Sequence, residues 1–244
     1  MKTFGLIGYP LEHSFSKKYF EEKFNKENIE NVEYINLESS SLDDLFSSKK
    51  VFSLNGFNVT IPFKEAIIPY LDELSKEAKA IGAVNCVKKE GDRLIGYNTD
   101  YIGFLNSFKI LKKSYHKKAL ILGNGGATKA IIHALRDLSI TYQIVSRGSS
   151  FDYTDIDEKC LKEHQIIINC TPLGTYPKVD EFPSIPYQFL TDKHFLYDLV
   201  YNPVESRFLS FGKEKKCTTK SGMEMLEIQA DQSWLIWNRK KYTY

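Results

Sequence analysis

The sequence predicts an α/β protein built as two units. Short apolar runs alternate with amphipathic stretches from the first residues onward, the pattern of strands interleaved with helices. An apolar run from Ala119, a glycine-rich turn and a helical pattern then follow one another in that order. The 244 residues, 42% hydrophobic and 26% charged, suffice for one large or two small cores without a metal or disulfide staple.

Thr3 to Gly8 reads as a buried strand, Ser16 to Asn25 as a helix with Tyr19, Phe20 and Phe24 on one face, and Val32 to Leu37 as the next strand. Leu54 to Thr60 is a third strand, ended by Pro62, and Glu65 to Ala80 reads as a helical region interrupted at Pro69. Val84 to Lys89 and Arg93 to Tyr97 flank Glu90-Gly91-Asp92, a hairpin signal. Asp100 to Leu111 is expected to be a connecting helix. A second unit begins near Lys117, with Ala119 to Leu122 as a strand and a helix in which Ile131, Ala134, Leu135 and Leu138 recur at helical spacing. Tyr142 to Val145, Gln165 to Cys170 and Phe195 to Leu199 supply further strands, with weaker helical stretches between them. Gly222 to Asn238 reads as one long helix, apolar at Met225, Leu226, Ile228, Leu235 and Ile236.

Lys+Arg 33 against Asp+Glu 31 leaves a formal charge of +2, which gives no ground for nucleic-acid binding. No run approaches the roughly 18 apolar residues of a membrane helix. Met1 to Gly8 is too short and too soon polar for a signal peptide, so a soluble, cytoplasmic protein with a small ligand is expected. Cys86, Cys160, Cys170 and Cys217 form no C-x-x-C pair and the five histidines no H-E-x-x-H, so neither zinc nor a disulfide is expected.

Gly123-Asn124-Gly125-Gly126-Ala127 lies where a Rossmann-like unit places its phosphate turn. Glycines let backbone N–H groups approach a pyrophosphate, whose charge a helix N-terminus favours. Thr128 stands at the third glycine position, and taken alone the stretch fits a tight structural turn equally well. About 20 residues on, where an NAD site usually has Asp or Glu, the chain has Ser146-Arg147-Gly148. An arginine pairs with a 2′-phosphate that a carboxylate would repel, so these residues lean toward NADP; a solvated surface charge is the other reading of Arg147.

In the N-terminal unit Ser14 and Ser16 fall between a strand and a helix, where they read as N-caps or as two hydroxyls suited to a carboxylate. Asn58-Val59-Thr60-Ile61-Pro62-Phe63-Lys64 brings Asn, Thr and Lys to the C-terminal end of a strand, where open α/β sheets bind ligands. Asn85 and Asp100 are, taken singly, ordinary turn and cap residues.

In conjunction these stretches resemble the shikimate dehydrogenase family, in family order through nearly the whole chain. They are Ser14-Phe15-Ser16, Asn58 to Lys64, Gly82-Ala83-Val84-Asn85, Asn98-Thr99-Asp100-Tyr101-Ile102-Gly103, the glycine turn, Asn169-Cys170-Thr171-Pro172-Leu173-Gly174, Asp198-Leu199-Val200-Tyr201-Asn202-Pro203, and Gln229. The resemblance implies an N-terminal open α/β substrate domain over 1–100, completed by a C-terminal helix over 222–244. It also implies a Rossmann-like NADP-binding domain over 101–221, with the active-site cleft between the two. The implied reaction is the reversible, NADPH-dependent reduction of 3-dehydroshikimate to shikimate, a step toward chorismate and the aromatic amino acids.

By the same resemblance Lys64 and Asp100 form the catalytic pair, and Ser14 and Ser16 hold the substrate carboxylate. Thr60, Lys64, Asn85, Asp100 and Gln229 surround the ring hydroxyls, and Tyr201 closes the site near the carboxylate. The implied cofactor residues are Gly123, Asn124, Gly125, Gly126, Ala127, Ser146, Arg147, Thr171, Leu199 and Gly222. No metal, nucleic acid or membrane is implied, and the assembly is a monomer or homodimer.

Three departures stand out. Ser149-Ser150-Phe151 replaces the stretch in which strongly NADP-selective members often carry a second arginine, which implies a weaker preference for NADP. Glu224 replaces a glycine in Gly222-Met223-Glu224-Met225-Leu226, and a terminal helix of longer members is expected to be missing after Trp237-Asn238-Arg239. Two competing readings are a quinate or dual quinate/shikimate dehydrogenase, which shares the Lys-Asp pair, and a non-catalytic NADP-binding module. The intact set of Lys64, Asp100, Asn85 and Gln229 argues against the module.

Overall fold

A computed structural model of the chain describes residues 1–12 and 14–238; His13 and the end of the expected C-terminal helix, 239–244, lie outside the described residues. The chain divides into two compact units, Met1–Thr99 with the segment from Gln229 onward, and Asp100–Ile228.

The first unit is built on a six-stranded sheet of order β2-β1-β3-β5-β6-β4. Its strands are β1 (Lys2–Gly8), β2 (Val32–Glu38), β3 (Gly56–Val59), β4 (Glu73–Leu74), β5 (Cys86–Glu90) and β6 (Arg93–Tyr97). β1 pairs in parallel with β2 and β3, β5 runs antiparallel to β3 and β6, and β4 joins β6 in parallel. The predicted hairpin is β5–β6, and because Glu90 pairs with Arg93 its turn is Gly91-Asp92 alone. Gly91 takes the left-handed φ of 63° that such a two-residue turn requires.

Helix α1 (Ser16–Lys26) buries Phe20 and Phe24 among Phe4, Tyr34 and Trp237. Helices α2 (Leu42–Ser47) and α3 (Lys76–Ile81) are six residues each, and the sequence pattern does not announce α2. Of the helical region expected over 65–80, interrupted at Pro69, only the end forms an α-helix. Turns, a 3-10 turn at Ile68–Tyr70 and β4 precede α3, which starts only where Ser75 accepts the Ala78 N–H at 3.1 Å. Pro69 removes an amide, while Ile67, Ile68, Tyr70, Leu71 and Leu74 mimic helical spacing yet reach the core from irregular chain. The strand expected over 54–60 is trimmed to β3, entered from a 3-10 turn at Lys50–Ser53.

The second unit carries a wholly parallel sheet of order β11-β10-β9-β7-β8. Its strands are β7 (Lys118–Leu122), β8 (Thr141–Val145), β9 (Ile166–Asn169), β10 (Phe195–Asp198) and β11 (Thr218–Lys220). The helices are α4 (Asp100–Lys109), α5 (Gly126–Asp137), α6 (Glu158–Glu163), α7 (Arg207–Glu214) and α8 (Met223–Asn238); α8 is shared, its residues from Gln229 grouping with the first unit. A parallel sheet is covered on both faces, so its central strands are continuous apolar runs. Ala119 and Ile121 enter one core cluster with Phe104, Phe108 and Tyr197, while Leu120 and Leu122 enter the other with Ile167, Leu196 and Phe208. That is the two-residue alternation of a strand. β11, an edge strand with no fully buried residue, leaves no such signature in the sequence.

In each sheet one strand has its successors on opposite sides: β1 between β2 and β3, and β7 between β8 and β9. Connections that leave in opposite directions open a crevice at the C-terminal ends of those strands, where ligands of such sheets bind.

Candidate active site

At the first of these crevices β1 leads to half-buried Ser14 and to Ser16, the first residue of α1. The N-cap reading of the serines is not what forms. Phe15 occupies the cap position with no side-chain bond, and Ser14 Oγ accepts only a 3.4 Å bond from the Ser16 N–H. β3 delivers Thr60, whose N–H donates to the Ile7 carbonyl and whose carbonyl accepts the Phe63 N–H, both at 2.9 Å. The turn closed in this way carries half-buried Lys64, and the Lys64 carbonyl accepts the Val84 N–H at 2.7 Å, beside Asn85.

Asn85 is 3% exposed. Its Oδ1 accepts the Thr99 N–H at 2.6 Å, and its Nδ2 donates to Thr99 Oγ1 at 2.9 Å and to Gln229 Oε1 at 3.4 Å. Thus Asn85 just before β5, Thr99 between β6 and α4, and Gln229 on α8 come together. Buried Asp100 follows Thr99 as the first residue of α4.

In the second unit the glycine turn joins β7 to α5. Gly123 has φ of 102°, and a Cβ there would stand 2.9 Å from Thr171 Cγ2 on the loop after β9. A Cβ on Gly125, the extended N-cap residue of α5, would meet nothing within 4 Å, and this N-cap position supplies no side-chain hydrogen bond to the helix. Thr128, at the missing third glycine, donates its hydroxyl back to the Gly123 carbonyl at 3.2 Å and so helps to close the turn. Exposed Asn124 and half-buried Gly126 and Ala127 complete it. An open glycine face leading into a helix N-terminus without a side-chain cap fits a pyrophosphate.

Arg147 is exposed on the turn after β8. That turn is tied to itself: the Ser149 hydroxyl donates to the Ser146 carbonyl at 2.9 Å, and the Gly148 N–H donates to Asp152 Oδ2 at 2.8 Å. The Gly148 and Tyr153 amides, and then the Arg147 charge, hold the Asp152 carboxyl below its ordinary range. Thr171 is anchored by Asn169, whose Oδ1 accepts its hydroxyl at 2.6 Å. Asn169 Nδ2 donates to Asp198 Oδ1 at 2.9 Å, and Asp198 also accepts the Val200 N–H at 3.0 Å and the Ser206 hydroxyl. Burial nonetheless pushes the Asp198 carboxyl from 3.8 up to about 6. Half-buried Leu199 and Tyr201 follow it, and a Cβ on Gly222 would lie 2.3 Å from the Leu199 carbonyl oxygen, so packing alone requires glycine there.

Burial raises the Cys170 thiol to about 12, which makes it a poor nucleophile despite its place beside Thr171. Among the described residues no group of three or more His, Cys, Asp or Glu is placed to hold a metal ion, and no helix is long and apolar enough to cross a membrane. Sequence reasoning misses Thr99, Asn169 and Asp198 as site residues although they lie inside its motifs, and it points to Asn58 without finding its buried partners. Tyr34, Ser206 and Ser233 carry no signal beyond the helical spacing of Ser233 from Gln229.

A model of the shikimate dehydrogenase substrate binding domain matches residues 6–87. Shikimate dehydrogenase (NADP(+)) of Clostridium beijerinckii is 41% identical over 97% of this chain and 92% of its own. The crystal structure of shikimate dehydrogenase from Aquifex aeolicus superposes with a TM-score of 0.88 at 33% identity, covering 100% of this chain and 95% of that one. Shikimate 5-dehydrogenase from Thermus thermophilus in complex with NADP(H) and shikimate gives 0.86 at 29% identity, over 98% and 94%. Quinate dehydrogenase from Corynebacterium glutamicum in complex with NAD gives 0.86 at 25% identity, over 97% and 93%, so the fold itself does not distinguish the two polyols. The two α/β units, their switch-point crevices and identity sustained along nearly the whole length make this chain an oxidoreductase that belongs to the shikimate dehydrogenase family.

Proposed function

We propose that the protein is an NADP-dependent shikimate dehydrogenase that reversibly reduces 3-dehydroshikimate to shikimate in the cytoplasm, on the way to chorismate and the aromatic amino acids. The observation that carries this reading is the buried, mutually oriented set of Asn85, Thr99 and Gln229 next to the Lys64 turn. Two side-chain amides and a hydroxyl held in fixed register match a polyol ring better than an apolar substrate. Ser14 and Ser16 bind the substrate carboxylate, with Tyr201 closing over it, and Thr60, Asn85 and Gln229 bind ring oxygens.

NADPH, when bound, would supply the hydride for reduction, and NADP would accept it in the reverse direction. Reduction leaves negative charge on the former ketone oxygen, and the Lys64 ammonium hydrogen-bonds that oxygen and delivers its proton. Asp100 orients Lys64 and the neighbouring hydroxyl. Gly123, whose own amide donates to the Val145 carbonyl, turns the chain so that Asn124, Gly125, Gly126 and Ala127, with Thr171, would hold the pyrophosphate. Ser146 and Arg147 hold the ribose 2′-phosphate, and Leu199 and Gly222 border the nicotinamide side.

A two-by-two assay of shikimate and quinate with NADP and NAD, followed by absorbance of the reduced cofactor, tests the reading. Shikimate with NADP is expected to be fastest, with measurable turnover on NAD. Quinate with NAD fastest would select the quinate reading, and no signal in any arm would select the non-catalytic module.

A further inference from the structure

A chain of buried hydrogen bonds runs through the first unit behind the residues assigned to substrate. Its centre is Ser233, fully buried on α8 one turn after Gln229. Ser233 Oγ accepts from Asn58 Nδ2 at 2.8 Å, donates to the Gln229 carbonyl at 2.9 Å, and stands 3.3 Å from Thr99 Oγ1. Asn58 Nδ2 donates also to the Asn85 carbonyl at 3.1 Å, while Asn58 Oδ1 accepts the Tyr34 phenol at 2.9 Å. Burial holds that phenol protonated, and an interaction with the Ser16 side chain opposes it. Thr99 Oγ1 lies 3.4 Å from Gln229 Oε1.

A serine that bonds the carbonyl four residues back is ordinary in a helix. A second bond to an amide from a distant strand, and a third contact to a threonine hydroxyl, serve nothing in the helix. What they do is fix Thr99, whose N–H holds Asn85 Oδ1 at 2.6 Å and whose single hydroxyl proton is shared between Ser233 Oγ and Gln229 Oε1, the Ser233 proton being spent on the Gln229 carbonyl. An amide whose carbonyl is held in this way cannot rotate by half a turn and exchange its donor for its acceptor.

We propose that Ser233 is a positioning residue: acting through Thr99 and Asn58, it sets the donor and acceptor faces of the Asn85 and Gln229 amides without touching substrate. The proposal rests on the shikimate reading of those two amides. Ser233→Ala removes the hydroxyl and is a better helix former, so α8 keeps its fold. Ser233→Thr keeps the hydroxyl.

Shikimate is titrated calorimetrically into the cofactor-free protein, and KM values for shikimate and NADP and the melting temperature are measured alongside. Loss of one neutral hydrogen bond predicts a rise of about 5-fold in the shikimate Kd and KM of Ser233→Ala. The KM for NADP stays within about twofold, and Ser233→Thr recovers most of the loss. An unchanged shikimate Kd in Ser233→Ala, whatever happens to the melting temperature, overturns the proposal. So does a loss that Ser233→Thr fails to recover, since that ascribes the effect to packing. Wild-type protein that neither binds nor oxidises shikimate overturns the functional reading first, and is told apart by the wild-type arm alone.

Discussion

Lys64 is carried on a turn fastened at both ends by backbone bonds, to Ile7 through Thr60 and to Val84 through its own carbonyl. Its charge is therefore presented from a fixed backbone. Lys64→Ala is expected to lower kcat by at least about 100-fold, the usual scale of proton-transfer assistance, while the shikimate KM moves only a few-fold; steady-state kinetics that match wild type would remove Lys64 from the chemistry. At the cofactor end, Arg147 faces an opposing charge from its own loop, Asp152. Arg147→Ala should lower the ratio of NADP to NAD efficiency, and Asp152→Asn, which keeps a carbonyl oxygen for the Gly148 amide, should raise it. Ratios that move in the same direction would exclude a 2′-phosphate role for this loop. Lys64, Asn85, Asp100 and Gln229 are picked out in the sequence by the family resemblance, through stretches that occur in family order; taken singly, Asn85 and Asp100 read as turn and cap residues. Tyr34 and Ser233 are not, since their partner Asn58 lies 24 and 175 residues away and only the topology brings them together.

At the scale of elements, the seating of α8 depends on a residue missing a side chain. A Cβ on Gly56 in β3 would fall 2.4 Å from the Trp237 ring. That ring stacks on Phe4 at 4.7 Å between centroids and donates its N–H to the Val87 carbonyl at 3.0 Å. Trp237 thereby anchors the helix that carries Gln229 and Ser233. Gly56→Ala must displace the indole, at a cost of about 1–3 kcal/mol, and should raise the shikimate KM while leaving that for NADP unchanged. A urea midpoint equal to that of wild type would show that the ring yields freely. The parallel strands β7, β9 and β10 are legible because both faces are apolar. The stretch over 65–80 misleads because an irregular chain can bury residues at helical spacing, and periodicity alone does not see whether the backbone bonds close.

For the whole molecule, the buried Asn169-Asp198-Ser206 cluster makes stability depend on pH. The folded Asp198 carboxyl titrates at about 6 rather than 3.8, so folding holds its proton more tightly. Below the lower value both states are protonated and the group costs nothing. As pH rises through the window the unfolded chain ionises first, and the native state loses roughly 3 kcal/mol from this group. Asp198→Asn can keep every bond: its Oδ1 accepts from Asn169 and Val200, and its Nδ2 donates to Ser206 Oγ. Urea midpoints should therefore fall less between pH 4 and pH 7 in Asp198→Asn than in wild type, and an equal fall would place the proton elsewhere. The division into two units is legible from the strand, glycine turn and helix that open the second core. The return of the last helix to the first unit is implied only by the resemblance, and the division of α8 at Gln229 is not legible, because its apolar positions look alike on either side of Gln229.

That sharing bears on how the protein is made. The strands that hold Asn58 and Val87 leave the ribosome well before the residues from Gln229 onward that complete their hydrogen bonds, and the entire second unit is synthesised in between. At ordinary translation speeds the wait is on the order of ten seconds. Through that interval the nascent first unit holds Phe4 and Phe20 without their shared aromatic partner Trp237.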